Sequence, residues 1–169
     1  MYTLKVVNEH YIAPGAYGRV GRYVTNVNKT DGYYESYGVL TGQEDSIENS
    51  MNAVYIRRTT YEDISCQFHV VISFKIPNTD ENVFAIYELS RGIVDYIGDD
   101  YQVVAGLHHM DLTDANENPY PHIHLQINAV SWRTGDHIAN NEKGRRMVRE
   151  MVNDAIAFAK TYVNTTNLH

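Results

Sequence analysis

The chain has 169 residues, 43% of them apolar, which suits one globular domain with a real core. Its formal net charge is −7, from 14 Lys+Arg against 21 Asp+Glu, which argues against a nucleic-acid binder that uses its whole surface. The lone Cys66 excludes an internal disulfide, no apolar run is long enough to span a bilayer and nothing resembles a signal peptide, so a cytoplasmic protein without a membrane segment is expected.

Residues 2–7 read as a short strand, and Pro14-Gly15 signals a turn. Residues 16–27 predict a helix with Val20, Tyr23, Val24 and Val27 on one stripe, against the poor helix propensity of Gly18 and Gly21. Residues 28–32 break that pattern, and residues 32–42, with Tyr33, Tyr34 and Tyr37 among glycines and serines, read as a loop. A second helix is predicted over 44–58, with Ile47, Met51, Val54 and Tyr55 at helical spacing, acids at its start and Arg57-Arg58 at its end. Residues 65–76 read as a strand in which Cys66 is a buried thiol. Thr79 is a candidate N-cap for a helix to about Ile97, with Val83, Ile86, Tyr87, Ser90, Ile93, Val94 and Ile97 inward. Gly98-Asp99-Asp100 turns into a strand over 101–108, and residues 111–121 read as a polar hairpin loop. A last strand over 122–130, a turn at 134–136 and a helix over about 141–163 follow, the helix burying Met147, Val148, Met151, Val152, Ile156, Ala159 and Val163. No repeat, low-complexity segment or domain boundary interrupts this order, which gives an α+β fold: an antiparallel sheet with helices mainly on one face.

The most informative stretch is residues 122–128. His122, His124, Gln126 and Asn128 alternate strictly with Ile123, Leu125 and Ile127, the period of a half-buried strand. Imidazoles at i and i+2 project side by side, close enough to share one metal ion. The run 101–109 ends in His108-His109; if it pairs antiparallel with 122–130, its end supplies a third ligand. Alternation allows just one of those two histidines to face His122 and His124. Asp111 is a candidate acceptor that fixes an imidazole tautomer, and Asn128 shares the polar face as a further positioning group. His69 stands between a structural histidine and a role near the site. Fourteen tyrosines offer faces for stacking on bases, although packing explains most of them.

Four pieces, in order, resemble the relaxase/mobilisation nucleases of the His-hydrophobe-His endonuclease superfamily. These are Tyr23-Val24-Thr25 with Lys29-Thr30, His69-Val70-Val71-Ile72-Ser73-Phe74, His109-Met110-Asp111, and Pro121-His122-Ile123-His124 running on to Asn128. The stretch between Asp111 and His122 is longer than the family's pattern. The resemblance implies a single relaxase-like nuclease domain over 1–169, with a sheet of about five antiparallel strands. It implies nicking of one DNA strand at an origin of transfer through a 5′-phosphotyrosyl bond, in conjugative mobilisation of a plasmid or mobile element. The implied cofactor is a divalent ion, Mg²⁺ or Mn²⁺ in function with Zn²⁺ also acceptable, held by His109, His122 and His124. His109 is preferred to His108 for its His-x-Asp spacing. Tyr23 is the expected nucleophile, with Tyr17, Tyr33, Tyr34 and Tyr37 as further candidates. Arg22, Lys29, Thr30 and Arg133 are expected to touch DNA, while Arg145, Arg146 and Arg149 read first as a solvated helix face. Single-stranded DNA is the implied partner, with accessory relaxosome proteins besides. The competing readings are a rolling-circle replication initiator or transposase, whose tyrosine would be Tyr162, a catalytically inactive DNA-binding relic, and a metal hydrolase with no nucleic-acid partner.

Overall fold

Alternation of apolar and polar residues sets both the strands and the way they pair. The computed structural model describes residues 1–12, 15–43, 45–59, 65–110 and 120–162. In chain order the elements are β1 (Tyr2–Val6), α1 (Ala16–Val24), α2 (Val27–Thr30), β2 (Tyr34–Tyr37), α3 (Ser46–Tyr55), β3 (Gln67–Phe74), α4 (Asp80–Gly98), β4 (Tyr101–His108), β5 (His122–Ser131) and α5 (Glu142–Ala159). The strands form one antiparallel sheet in the order β1-β3-β5-β4-β2.

The period-two stretch 122–128 is therefore the centre of the sheet, with β3 on one side and β4 on the other. Its apolar set, Ile123, Leu125 and Ile127, faces a core shared with Phe68, Val70, Ile72 and Leu107. The long helices α4 and α5 close that face. Each starts on a cap the sequence supplies: the Thr79 hydroxyl accepts from Asn82 N at 3.3 Å, and the Asn141 side chain accepts from Gly144 N at 2.9 Å. On the opposite face α1 and α3 cover half of the sheet, packing Tyr17, Val20, Val24, Ile47 and Met51 over Val104 and Cys66.

Three boundaries depart from the expectation for physical reasons. The helix expected over 16–27 stops at Val24, because the Asn26 side chain caps a new turn by accepting from Asn28 N at 3.0 Å. The loop expected over 32–42 contains the edge strand β2, paired with β4 and tied to α4 by a Tyr87 hydroxyl that donates to Glu35. The last helix ends at Ala159, where the Thr161 hydroxyl donates to Phe158 O at 2.7 Å, and Val163 lies outside the described residues. Met147, expected inward on that helix, is 45% exposed. Pro14 and residues 111–119 also lie outside the described residues, and with them most of the expected hairpin loop.

Candidate metal and nucleophile site

The sheet register brings three imidazoles together. His108 stands opposite His122, and Gly106 stands opposite His124, so all three rings project from one face at adjacent strand positions. Their centroids are 4.4 Å (His108–His124), 4.9 Å (His122–His124) and 5.5 Å (His108–His122) apart. One nitrogen from each ring lies within 4.8 Å of the other two. The remaining nitrogens are engaged elsewhere. His108 Nε2 lies 3.1 Å from Val24 O, and His122 Nδ1 lies 3.3 Å from Tyr120 O. A carbonyl can only accept, so both of those nitrogens carry a proton, and in the neutral ring Nδ1 of His108 and Nε2 of His122 keep the lone pairs. His124 Nδ1 is 2.8 Å from His69 Nε2, and its own Nε2 is buried with no hydrogen-bond partner among the described residues. Burial disfavours the imidazolium form: it drives His124 down to about 2 and His69 down to about 4, with neighbouring imidazoles adding to both shifts. Neutral imidazole is the form that ligates metals.

His109 does not take the place expected of it. β4 ends at His108, whose parity matches Gly106 on the face of His122 and His124, while Leu107 points into the core. His109 leaves the strand, and its Nε2 pairs with Asp31 Oδ2 at 2.8 Å. Asp111 lies outside the described residues.

Tyr23 comes from α1 and lies over the cluster. Its ring centroid is 5.0 Å from His124 and 5.2 Å from His108, both edge-on. The three histidines are at most 5% exposed, whereas Tyr23 is 39% exposed and sits off the buried stripe of Val20 and Val24. Lys29, from the short α2 turn, holds its Nζ 4.7 Å from the Tyr23 ring centroid. Two local features set α1 at this height. Glu48 of α3 accepts from Gly15 N at 2.8 Å and Gly18 N at 2.6 Å, placing an anion at the positive end of a helix with no acid in its own first turn. At the other end Gly106 leaves room for the Val24 carbonyl, which a Cβ on β4 would overlap.

The other expected site residues are placed elsewhere or otherwise employed. Asn128 shares the face of the histidines but lies beneath α1 and α3. Its Oδ1 accepts from the Tyr17 hydroxyl at 3.1 Å and Val130 N at 3.1 Å, and its Nδ2 donates to Met51 O and Gln102 Oε1, both at 2.9 Å. A buried amide so fully satisfied is a structural group, with no bond to a histidine. Thr30 is buried and its hydroxyl donates to Asn26 O at 3.1 Å, so it offers nothing to an incoming phosphate. Arg133 lies past the far end of β5 and donates to Asp100 Oδ1 at 3.3 Å, about 30 Å along the strand from His122. Arg22 is exposed on α1, next to Tyr23. Tyr17 is fully buried and donates to Cys66 O at 2.8 Å, Tyr33 packs on Tyr87, and Tyr37 lies against Gly98. Tyr162 follows α5, stacked on Phe158 on the side of the sheet opposite the histidines. The Arg145–Arg149 group belongs to α5 as well. Cys66 is fully buried, and burial pushes its thiol up to about 12, which suits packing and not nucleophilic work. Tyr11 carries no sequence signal, yet its hydroxyl lies 3.4 Å from His69 Nδ1.

As a donor set, three imidazole nitrogens on rigid strands, two with their outer nitrogen fixed by a carbonyl, fit a divalent transition ion with positions left for other ligands. Mg²⁺ prefers oxygen, whereas imidazole nitrogens also accept softer divalent ions. Among the described residues no helix is long and apolar enough to cross a membrane. The family model for relaxases, the MobA/VirD2-like nuclease domain, matches residues 23–157 of the chain. None of the curated proteins and none of the solved structures matches it.

Proposed function

Because the chain belongs to the MobA/VirD2-like relaxase nucleases, a family of metal-dependent enzymes that nick single-stranded DNA, we propose that it nicks DNA through Tyr23 at an ion held by His108, His122 and His124. The observation that carries the choice of nucleophile is the position of Tyr23: half in solvent, with its ring about one ring-width from two of the three imidazoles. His108, His122 and His124 would hold a divalent ion, which would supply Lewis-acid polarisation and orientation of the phosphodiester.

The chain's own residues do the remainder. The Tyr23 phenol oxygen attacks phosphorus and gives up its proton as the new P–O bond forms. The bond to the 3′ oxygen breaks, that oxygen takes up a proton, and the 5′ phosphate stays on the tyrosine. The covalent step stores the phosphodiester energy, so the strand can be rejoined or transferred. Lys29 supplies positive charge beside the phenol, where the phosphate arrives, and Arg22 extends that charge along α1. Burial keeps His124 beneath Tyr23 in the neutral form, which favours a metal over a proton at its free nitrogen. Strand transfer at an origin of transfer, in conjugative mobilisation of a plasmid or mobile element by a single nuclease domain, is the biological setting this chemistry supports.

The test is covalent capture. With Mn²⁺ and a labelled single-stranded oligonucleotide library, the parent chain should form a denaturant-stable protein–DNA adduct. Tyr23→Phe should form none, and Tyr162→Phe should form it normally. An adduct that survives Tyr23→Phe and disappears in Tyr162→Phe would make the chain a replication-initiator-type enzyme instead. Metal-dependent cleavage that leaves no adduct in the parent chain would reject tyrosine attack altogether.

A further inference from the structure

His69 is a fourth imidazole beside the three, and the ligand set does not use it. Its Nε2 lies 2.8 Å from His124 Nδ1, and its Nδ1 lies 3.4 Å from the Tyr11 hydroxyl. Tyr11 is 3% exposed and firmly held: its backbone N donates to Ser65 Oγ at 3.3 Å, and its carbonyl accepts from Cys66 N at 2.8 Å. Burial first, and the Glu9 carboxylate after it, hold the Tyr11 hydroxyl in its protonated form. Glu9 and Tyr11 both precede residue 23, where the family match begins.

We propose that Tyr11 and His69 form a hydrogen-bonded relay that orients His124 as a metal ligand, so that the segment ahead of the family match completes the metal site. This rests on the reading that His124 is a ligand.

The direction of the relay follows from the donor and acceptor count. A metal on His124 Nε2 needs the lone pair there, so His124 carries its proton on Nδ1 and donates to His69 Nε2. His69 then has its own proton on Nδ1 and donates to the Tyr11 oxygen. Metal-bound histidines usually rest their second nitrogen on a carboxylate or carbonyl, as His108 and His122 rest theirs on Val24 O and Tyr120 O. His124 has neither, and the relay gives its second nitrogen a fixed acceptor in His69, itself held by Tyr11. His69 and Tyr11 are positioning residues here: each acts through His124.

Two readouts on the purified chain test this, one with metal and one without. In titration calorimetry with Mn²⁺, His69→Ala should weaken binding by about 10–100-fold, the range typical of outer-shell partners. Tyr11→Phe, which removes one oxygen, should weaken it less. His69→Gln should recover part of the loss in His69→Ala, because its amide oxygen can accept from His124. In ¹⁵N NMR of the metal-free chain, His124 should be the Nδ1–H tautomer, and His69→Ala should mix its tautomers while the fold, followed by circular dichroism, persists. Parent-like Mn²⁺ affinity in His69→Ala together with an unchanged His124 tautomer would overturn the relay. Parent-like affinity in His124→Ala would instead overturn the ligand assignment beneath it, and the metal-free NMR readout still judges the relay by itself.

Discussion

Adjacent histidines close β4, and one peptide unit decides which of them meets the cluster. His108 shares strand parity with Gly106 and so faces His122 and His124, whereas His109 turns out to pair with Asp31. The two should separate cleanly in a metal titration. His108→Ala should lower Mn²⁺ affinity by at least about tenfold, since it deletes a donor on a rigid strand. His109→Ala should leave that affinity within about twofold of the parent, because it removes a contact with Asp31 outside the three-histidine cluster. The reverse order of effects would restore His109 as the ligand. Sequence pattern could not make this choice. Residues 103–107 are continuously apolar or glycine, so no alternation reports which residues face which side, and the His-x-Asp spacing then favours His109, the neighbour that lies outside the cluster. His122 and His124, by contrast, sit in a clean alternation, and their shared face was legible before any coordinates. Asn128 shows the limit of that argument: the same face holds it, but α1 and α3 cover its end of the strand.

At the scale of elements, the site depends on how close α1 comes to β4. Helix α1 carries Gly18 and Gly21, which count against a helix by propensity. The packing supplies the reason for them: Glu48 closes on Gly18, and a Cβ at Gly21 would run into the Ile47 side chain 2.8 Å away. Gly106 does the same from the strand side, beneath the last carbonyl of the helix. Gly106→Ala should therefore push the end of α1 outward and carry Tyr23 off the imidazoles. Overpacking of this kind costs about 1–3 kcal/mol, a fall of roughly 2–12 °C in melting temperature for a domain of this size. Adduct formation should fall by more than that stability loss explains when it is assayed well below the melting point. A variant that melts lower and yet forms adduct at the parent rate would break the link between this approach and Tyr23. The long helices α4 and α5 and the four longer strands were readable from period and caps. Strand β2 was not, because four residues with polar groups on both faces give too short an alternation at a sheet edge.

On the scale of the whole molecule, charge and layering divide the labour between the two ends and two faces of the sheet. A net charge of −7 weighs against DNA as the partner, and one group of the acids lies far from the histidines. Asp100, Glu150 and Asp154 line a groove by the first residue of β4, where Arg133 is already engaged by Asp100. The histidines lie at the other end of that strand, about 25 Å away, beside Arg22 and Lys29. A separation of that length is about three screening lengths at physiological salt, so those acids exert little force on a charge placed beside Tyr23. The layer that carries Tyr23 also encloses Cys66, which makes the thiol a reporter of its integrity. Opening α1 and α3 alone would uncover Tyr17, Val20, Val24, Ile47 and Met51 together, at about 1.5–3 kcal/mol for each of the larger side chains. Against a total stability of order 5–15 kcal/mol, such a partial opening is nearly as costly as unfolding. The Gln126 and Gln67 amides, which donate to Tyr17 O at 2.8 Å and Ala16 O at 2.9 Å, bind α1 to the sheet still more tightly. Alkylation of Cys66 across a denaturant series should accordingly coincide with the loss of circular dichroism, since the fully buried thiol is also held protonated. Labelling that begins at lower denaturant than the main transition would mean that the Tyr23 layer opens separately from the β-sheet core, and that the nucleophile is carried on a lid and not on a fixed wall.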